Sequence, residues 1–137
     1  MAISFTINSN FILPYQRTHL KRWIKQVVAD YDKQIDDVAF IFCDDDDLLE
    51  INNKYLNHDF YTDIITFDYC ENNIINGDIF ISVQRVKDNA QKLKIPFEEE
   101  LKRVIIHGIL HLCGLKDKTK QQSVTMRAAE DKAITFF

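Results

Sequence analysis

Little in this sequence supplies sharp turns or covalent bracing. Its 137 residues include three glycines and two prolines, and no repeat, linker or low-complexity tract interrupts it. Cys43, Cys70 and Cys113 are odd in number and widely spaced, with no CxxC pair. A disulfide framework is therefore not expected, and a reducing cytoplasm is the expected compartment. No run of about 18 apolar residues occurs, which excludes a membrane-spanning helix. The opening MAISFTINSN has neither the basic nor the apolar stretch of a signal peptide, so none is expected. Basic charge is also in short supply: 17 Lys and Arg face 21 Asp and Glu, a formal net charge of −4. Proteins that bind nucleic acid by neutralising phosphates usually carry a basic surplus. Any such surface here has to be local.

Apolar residues are plentiful. They make up 46% of the chain, with ten Phe and five Tyr, which excludes a disordered polyelectrolyte. The length suits one domain, residues 1–137, with a single substantial core. Residues 3–8 alternate as a short strand. Leu20, Trp23, Ile24, Val27, Val28 and Tyr31 form one stripe of an amphipathic helix, and His19 is expected on its surface. Val38 to Cys43 reads as a buried strand. Asp44 to Asp47 suits the start of a following helix, where carboxylates cap free amides, and that helix runs from Leu48 to Leu56. Ile64 to Tyr69 and Ile79 to Val83 are strands joined as a hairpin through Glu71-Asn72-Asn73. Val86, Ala90 and Leu93 mark another helix. Pro96 and Glu98 to Glu100 then open a long one, in which the acids oppose the dipole. It runs to about Cys113, with Gly114 terminating it at positive φ. Thr119-Lys120-Gln121-Gln122 is a capping box for a last helix ending near Phe136. The expected class is α+β: a single small mixed sheet of about four strands packed with about five helices.

Chemistry concentrates in the segment from His107 to Asp117. Two histidines four residues apart on a helix lie within about 40° of each other. Both imidazoles can address one ion at about 2.0–2.1 Å. Gly114 breaks the helix, so Asp117 can swing back as a third ligand. Three protein ligands with one open position describe a catalytic zinc site rather than a structural one. The metal ligands expected are therefore His107, His111 and Asp117. His58, in the loop Asn57-His58-Asp59-Phe60, is a candidate for the edge of the site. Zinc peptidases usually place a glutamate directly after the first histidine. Gly108 stands there and argues against peptide hydrolysis.

The segment His107-Gly108-Ile109-Leu110-His111-Leu112-Cys113-Gly114-Leu115-Lys116-Asp117 resembles the signature H-G-x-L-H-L-x-G-x-D-H of the YbeY family. These are bacterial metal-dependent endoribonucleases of ribosomal RNA maturation. Thr62-Asp63-Ile64-Ile65-Thr66-Phe67 is similar to the family's T-D-V-L-S-F strand, and Gly77-Asp78-Ile79 to its G-D-I strand. Ile51-Asn52-Asn53-Lys54-Tyr55 is similar to its L-N-x-x-Y helix, and Met126 with Glu130 fits the closing helix. The match runs in order from about residue 48 to the end of the chain. The resemblance implies a cytoplasmic, zinc-dependent endoribonuclease acting on single-stranded RNA in ribosomal RNA processing, with the ribosome or ribosomal proteins as partners.

Two departures stand out. The family's third histidine falls on Asp117, whose anionic donor shifts metal preference towards oxygen-loving ions. The family's arginine after the helix tyrosine falls on Leu56, which cannot clamp phosphate. Lys116, Lys118 and Arg127 are candidate substitutes. Asp63 or Asp78 could orient a histidine or handle a proton. Phe60, Tyr61, Phe67 and Tyr69 could stack on bases, although core packing explains alternating strand aromatics as well. Two other functions stay open: a ribosome-associated metal-binding factor without catalysis, and a metalloprotease-like hydrolase.

Overall fold

A computed structural model describes residues 2–8, 10–58 and 61–137. In chain order the elements are β1 (Ala2–Ile7), α1 (Arg17–Asp30), β2 (Gln34–Cys43), α2 (Asp45–Leu56) and β3 (Ile64–Asp68). They continue with β4 (Ile74–Ser82), α3 (Val83–Leu93), α4 (Phe97–Leu112) and α5 (Lys120–Ile134). The strands form one mixed sheet in the order β1-β2-β4-β3. β1 and β4 both run parallel to β2, and β3 lies antiparallel to β4 at the edge. The α+β class, with one four-stranded sheet and five helices, matches the sequence expectation.

Register explains the two faces. Phe42 pairs with Ile81, Ile81 with Ile64, and Phe40 with Ile79, so these side chains share one face. α1 and α4 pack there, around Leu20, Trp23, Ile24, Leu101, Ile105 and Ile109. On the reverse face α2 covers a smaller cluster of Cys43, Leu48 and Ile65, with Phe67 and Phe80 against it. Two strands extend further than hydrophobicity alone suggests. β2 starts at Gln34 and β4 at Ile74, upstream of the polar stretches Asp36-Asp37 and Asn76-Gly77-Asp78 that interrupt their apolar residues. Asp37 and Asn76 are paired by the ladder itself, so backbone hydrogen bonding extends both strands through polar positions.

The helix ends follow their sequence signals. Asp44 Oδ1 accepts from the Asp47 amide at 3.0 Å, which makes the acidic run a helix cap. Asp45 is also tied up, accepting from Ser82 Oγ at 2.7 Å and from Arg85 at 2.9 Å. Thr119 and Gln122 form the capping box of α5. His19 departs from its expectation. It is half-buried, its ring 4.5 Å from that of Phe137 in an edge-on contact.

α4 comes unusually close to the sheet, and glycine permits this at Gly77 on β4. A Cβ there would lie 2.7 Å from the Phe67 carbonyl oxygen and 2.9 Å from Leu112 Cδ2. Gly108 on α4 is tight as well, but its contacts at 3.0 Å are the movable ends of Ile64 and Ile79. Gly77→Ala should therefore destabilise the fold by about 1–3 kcal/mol. Gly108→Ala should cost less, because better helix propensity returns about 1 kcal/mol. Urea denaturation of the two variants checks the ranking.

Candidate metal centre

α4 is apolar on most of its circumference: Leu101, Val104, Ile105, Ile106, Ile109, Leu110 and Leu112 are all buried. Such a helix has to run through the core, and beyond its first turns the polar groups keep to one edge. Glu100, His107 and His111 occupy that edge. At Cys113 the helix stops. The Gly114 amide bonds to His111 O at 3.0 Å, and the Leu115 amide to Leu110 O at 3.1 Å, with Gly114 at φ +105°. This double closure requires the left-handed residue that glycine supplies. The chain then folds back towards α4. Ser123 Oγ holds the Asp117 carbonyl at 3.1 Å, fixing the turn to the start of α5.

The turn brings Asp117 to the two histidines. Asp117 Oδ2 lies 3.2 Å from His107 Nε2, and Oδ1 lies 3.5 Å from His111 Nε2. One ligand atom from each of the three residues falls within 4.8 Å of the others, a set that could hold a metal ion. The tautomers follow from the other ring nitrogens. His111 Nδ1 is 3.0 Å from the Leu115 carbonyl, which only accepts, so Nδ1 carries the proton. His107 Nδ1 is 2.6 Å from Glu130 Oε2, with the same consequence. In the neutral rings both Nε2 lone pairs therefore face the Asp117 carboxylate. Three electron-pair donors converging in this way repel unless a proton or a cation lies among them. The donor set, two imidazoles and one carboxylate, is one that zinc accepts.

Glu130 links the centre to α5. It also accepts from Arg103 at 2.9 Å, and Arg103 reaches Asp131 at 2.7 Å. Burial works to raise the Glu130 pKa, but its bonds to His107 and Arg103 outweigh burial and hold it low. For His107 burial pulls the pKa down, yet the hydrogen bond and charge of Glu130 lift it above the usual histidine range. His111 goes the other way, lowered first by burial and then by the His107 charge.

Two clefts flank the centre. The larger, about 550 Å³, is lined by His107, His111, Asp117, Lys116, His58 and Leu56, among others. The smaller, about 300 Å³, lies between α4 and α5 and is lined by Glu100, Arg103, Arg127 and Glu130. His107, Asp117, Asp63 and Ile64 form the wall common to both. Thus Lys116, Arg127 and His58 all border the centre, whereas Lys118 lines neither cleft. Leu56 lines the larger cleft with an apolar side chain.

Asp63 and Asp78 separate clearly. Asp63 borders both clefts, and burial pushes its pKa up. Its hydrogen bond comes from Asn89 at 3.4 Å; the histidines are oriented by Glu130 and Leu115 instead. Asp78 lies between Gly77 and Ile79, which face α4, so strand alternation turns it to the opposite side of the sheet. It cannot reach the histidines. Phe67 packs edge-on against Phe80 on that same reverse face, as core. Tyr61 and Tyr69 are 49% and 58% exposed but line neither cleft. Phe60 lies outside the described residues.

Two residues escaped the sequence reading. Glu130 was placed only as part of the closing helix, and its bond across 23 positions to His107 has no local signal. Glu100 was read as an acid serving the helix dipole, yet it is 7% exposed. Its spacing did carry a signal, since 100, 104, 107 and 111 fall on one helix edge.

In the metal-free protein, His107 should titrate above the ordinary histidine value and His111 below it, in NMR spectra of the imidazole protons. Glu130→Gln removes the partner charge and should move His107 down. The raised His107 pKa stabilises the metal-free fold fully below the unfolded histidine value. That contribution disappears as pH rises through the folded value, and Glu130→Gln should flatten this part of the stability profile.

Comparison with known proteins agrees with the geometry. A family model described as Endoribonuclease YbeY matches residues 5–137. The chain is 50% identical over 134 residues to Endoribonuclease YbeY of Bacteroides fragilis, covering 98% of this chain and 96% of that relative. It is 56% identical over 112 residues to the protein of the same name from Phocaeicola vulgatus, covering 82% and 81%. Among solved structures, the solution structure of TM1509 from Thermotoga maritima superimposes with a TM-score of 0.66 at 25% identity, over 98% of this chain and 90% of that one. With residues 5–137 matched by the family model and 98% of the chain aligned to a relative at 50% identity, this chain belongs to the YbeY family.

Proposed function

We propose that this protein is a metal-dependent endoribonuclease that cuts single-stranded RNA, with His107, His111 and Asp117 holding one zinc ion. The observation that carries the reading is the convergence of His107 Nε2, His111 Nε2 and the Asp117 carboxylate, with one ligand atom of each within 4.8 Å of the others. When bound, such an ion supplies Lewis acidity towards a phosphodiester and a nucleophile at neutral pH. The oxygen donor of Asp117 also lets the centre take other divalent ions.

The remaining roles belong to the chain. Glu130 and the Leu115 carbonyl fix both imidazoles, so no reorganisation is needed when the site fills. Lys116 and Arg127 stand in for the arginine missing at Leu56, attracting phosphate from two sides of the centre. Asp63 receives the proton released by the attacking water, a task suited to a carboxyl whose pKa is raised by burial. The substrate is ribosomal RNA in the cytoplasm, and the ribosome or its proteins deliver it. No helix among the described residues is long and apolar enough to cross a membrane. Peptide hydrolysis is disfavoured, because Gly108 stands where zinc peptidases carry their glutamate base and supplies no group to move a proton. One observation favours a ribosome-associated factor whose metal only stabilises the fold: the apolar Leu56 in the cleft.

Cleavage of single-stranded RNA should vanish with chelator and in His111→Ala while circular dichroism shows a folded chain. Asp117→Ala should weaken metal affinity at least about ten-fold, and Asp117→His should retain the metal. Unchanged metal content in Asp117→Ala would remove that residue from the site. Co-sedimentation with ribosomes without any cleavage would favour the non-catalytic factor.

A further inference from the structure

The smaller cleft has a feature that hydrolysis does not use. Glu100 on α4 lines it, is 7% exposed, and its Oε1 has no hydrogen-bond partner among the described residues. A buried polar atom left unpaired is costly, so a carboxylate that carries one in the wall of a cleft marks a place for a ligand, which a turn of the side chain would bring to that oxygen. The neighbouring cations do not fill the role. Arg103 is committed to Glu130 and Asp131, and Arg127 is exposed on α5 at the rim.

We propose that this cleft is a base pocket that selects guanine in the nucleotide beside the scissile phosphate, with Glu100 reading its Watson–Crick edge. The inference rests on the endoribonuclease reading and adds its sequence preference. Guanine presents N1–H and the exocyclic N2–H side by side, two parallel donors that match the two oxygens of one carboxylate. Adenine and cytosine present a donor beside an acceptor, and uracil a donor between two acceptors. Each would turn an acceptor towards Glu100. Single-stranded RNA is recognised in this way, by splayed bases bonded on their edges and stacked on apolar or guanidinium surfaces. Ile64 and Val104 supply apolar wall. At about 300 Å³ the cleft is at the lower end of ligand-pocket sizes, as suits one base. Its common wall with the larger cleft, His107 and Asp117, places the base next to the reacting phosphate.

The test uses single-stranded RNA oligonucleotides that differ at one position, scored by cleavage site and rate. Wild type should cut next to guanosine roughly ten- to a hundred-fold faster than next to adenosine, cytidine or uridine. Inosine, which keeps N1–H and lacks N2–H, should fall between. Glu100→Gln, whose amide offers one donor and one acceptor, should level the rates. Equal cutting at all four bases, inosine equal to guanosine, or an unchanged preference in Glu100→Gln would each overturn the proposal. Calorimetric binding of guanosine monophosphate against adenosine monophosphate to the metal-stripped protein judges the pocket separately from cleavage. Guanosine monophosphate should bind at least about ten-fold tighter, and no difference between the two would overturn the pocket even in an active enzyme. An inactive wild type that still discriminates between them would fault the hydrolase reading alone.

Discussion

The burial of α4 governs the arrangement of everything polar in this protein. A helix with apolar residues on nearly every side has to be enclosed, and the sheet, α1, α3 and α5 enclose it. One edge remains for groups that cannot be buried without partners. Histidines at 107 and 111 and a glutamate at 100 are therefore aligned by the same 3.6-residue period that builds the core. Their precision is that of a packed helix, since moving either imidazole means moving Ile105, Ile106 or Ile109 inside the core. A site on such a support keeps its geometry without depending on loop order.

Charge arrangement resolves the apparent conflict between an acidic protein and an anionic substrate. The acids near the centre are not free to repel RNA uniformly. Glu130 is paired with Arg103 and hydrogen-bonded by His107 Nδ1, and Asp45 is paired with Arg85. The Asp117 carboxylate faces both histidines. A dication held among them would reverse the local sign in a way that a count over the whole chain cannot show. Lys116 and Arg127 border the resulting positive spot, and distant acids on α2 are screened within about 10 Å at moderate salt.

Sequence reading recovered what is local. The α1 stripe, the Asp44 cap, the Thr119 capping box, the Gly114 stop and the spacing of His107, His111 and Asp117 all depend on neighbours within a few positions. Each appears in the structure with the geometry expected. What stayed hidden depends on strand register or on contacts between distant segments. Asp63 and Asp78 each sit in a strand-like motif, and only the folded sheet separates them, with Asp63 bordering both clefts and Asp78 turned to the far side. The starts of β2 and β4 carry only a broken hydrophobic signal, because Asp36-Asp37 and Asn76-Gly77-Asp78 interrupt it while the backbone ladder runs on. Glu130 becomes visible as an imidazole partner only once α5 is docked on α4.

That docking separates two layers of the centre in the order of assembly. The three candidate ligands belong to one helix end and the bend behind it, so short-range closure alone gathers them. The brace on His107 arrives with α5, through Glu130 and its bonds to α4. Loosening of the C-terminal helix would thus leave the ligands in sequence reach of one another while releasing the imidazole from its fixed orientation. Affinity for the ion is in this sense set by how firmly the last helix is seated, and any contact that grips or displaces it acts on the centre without touching it.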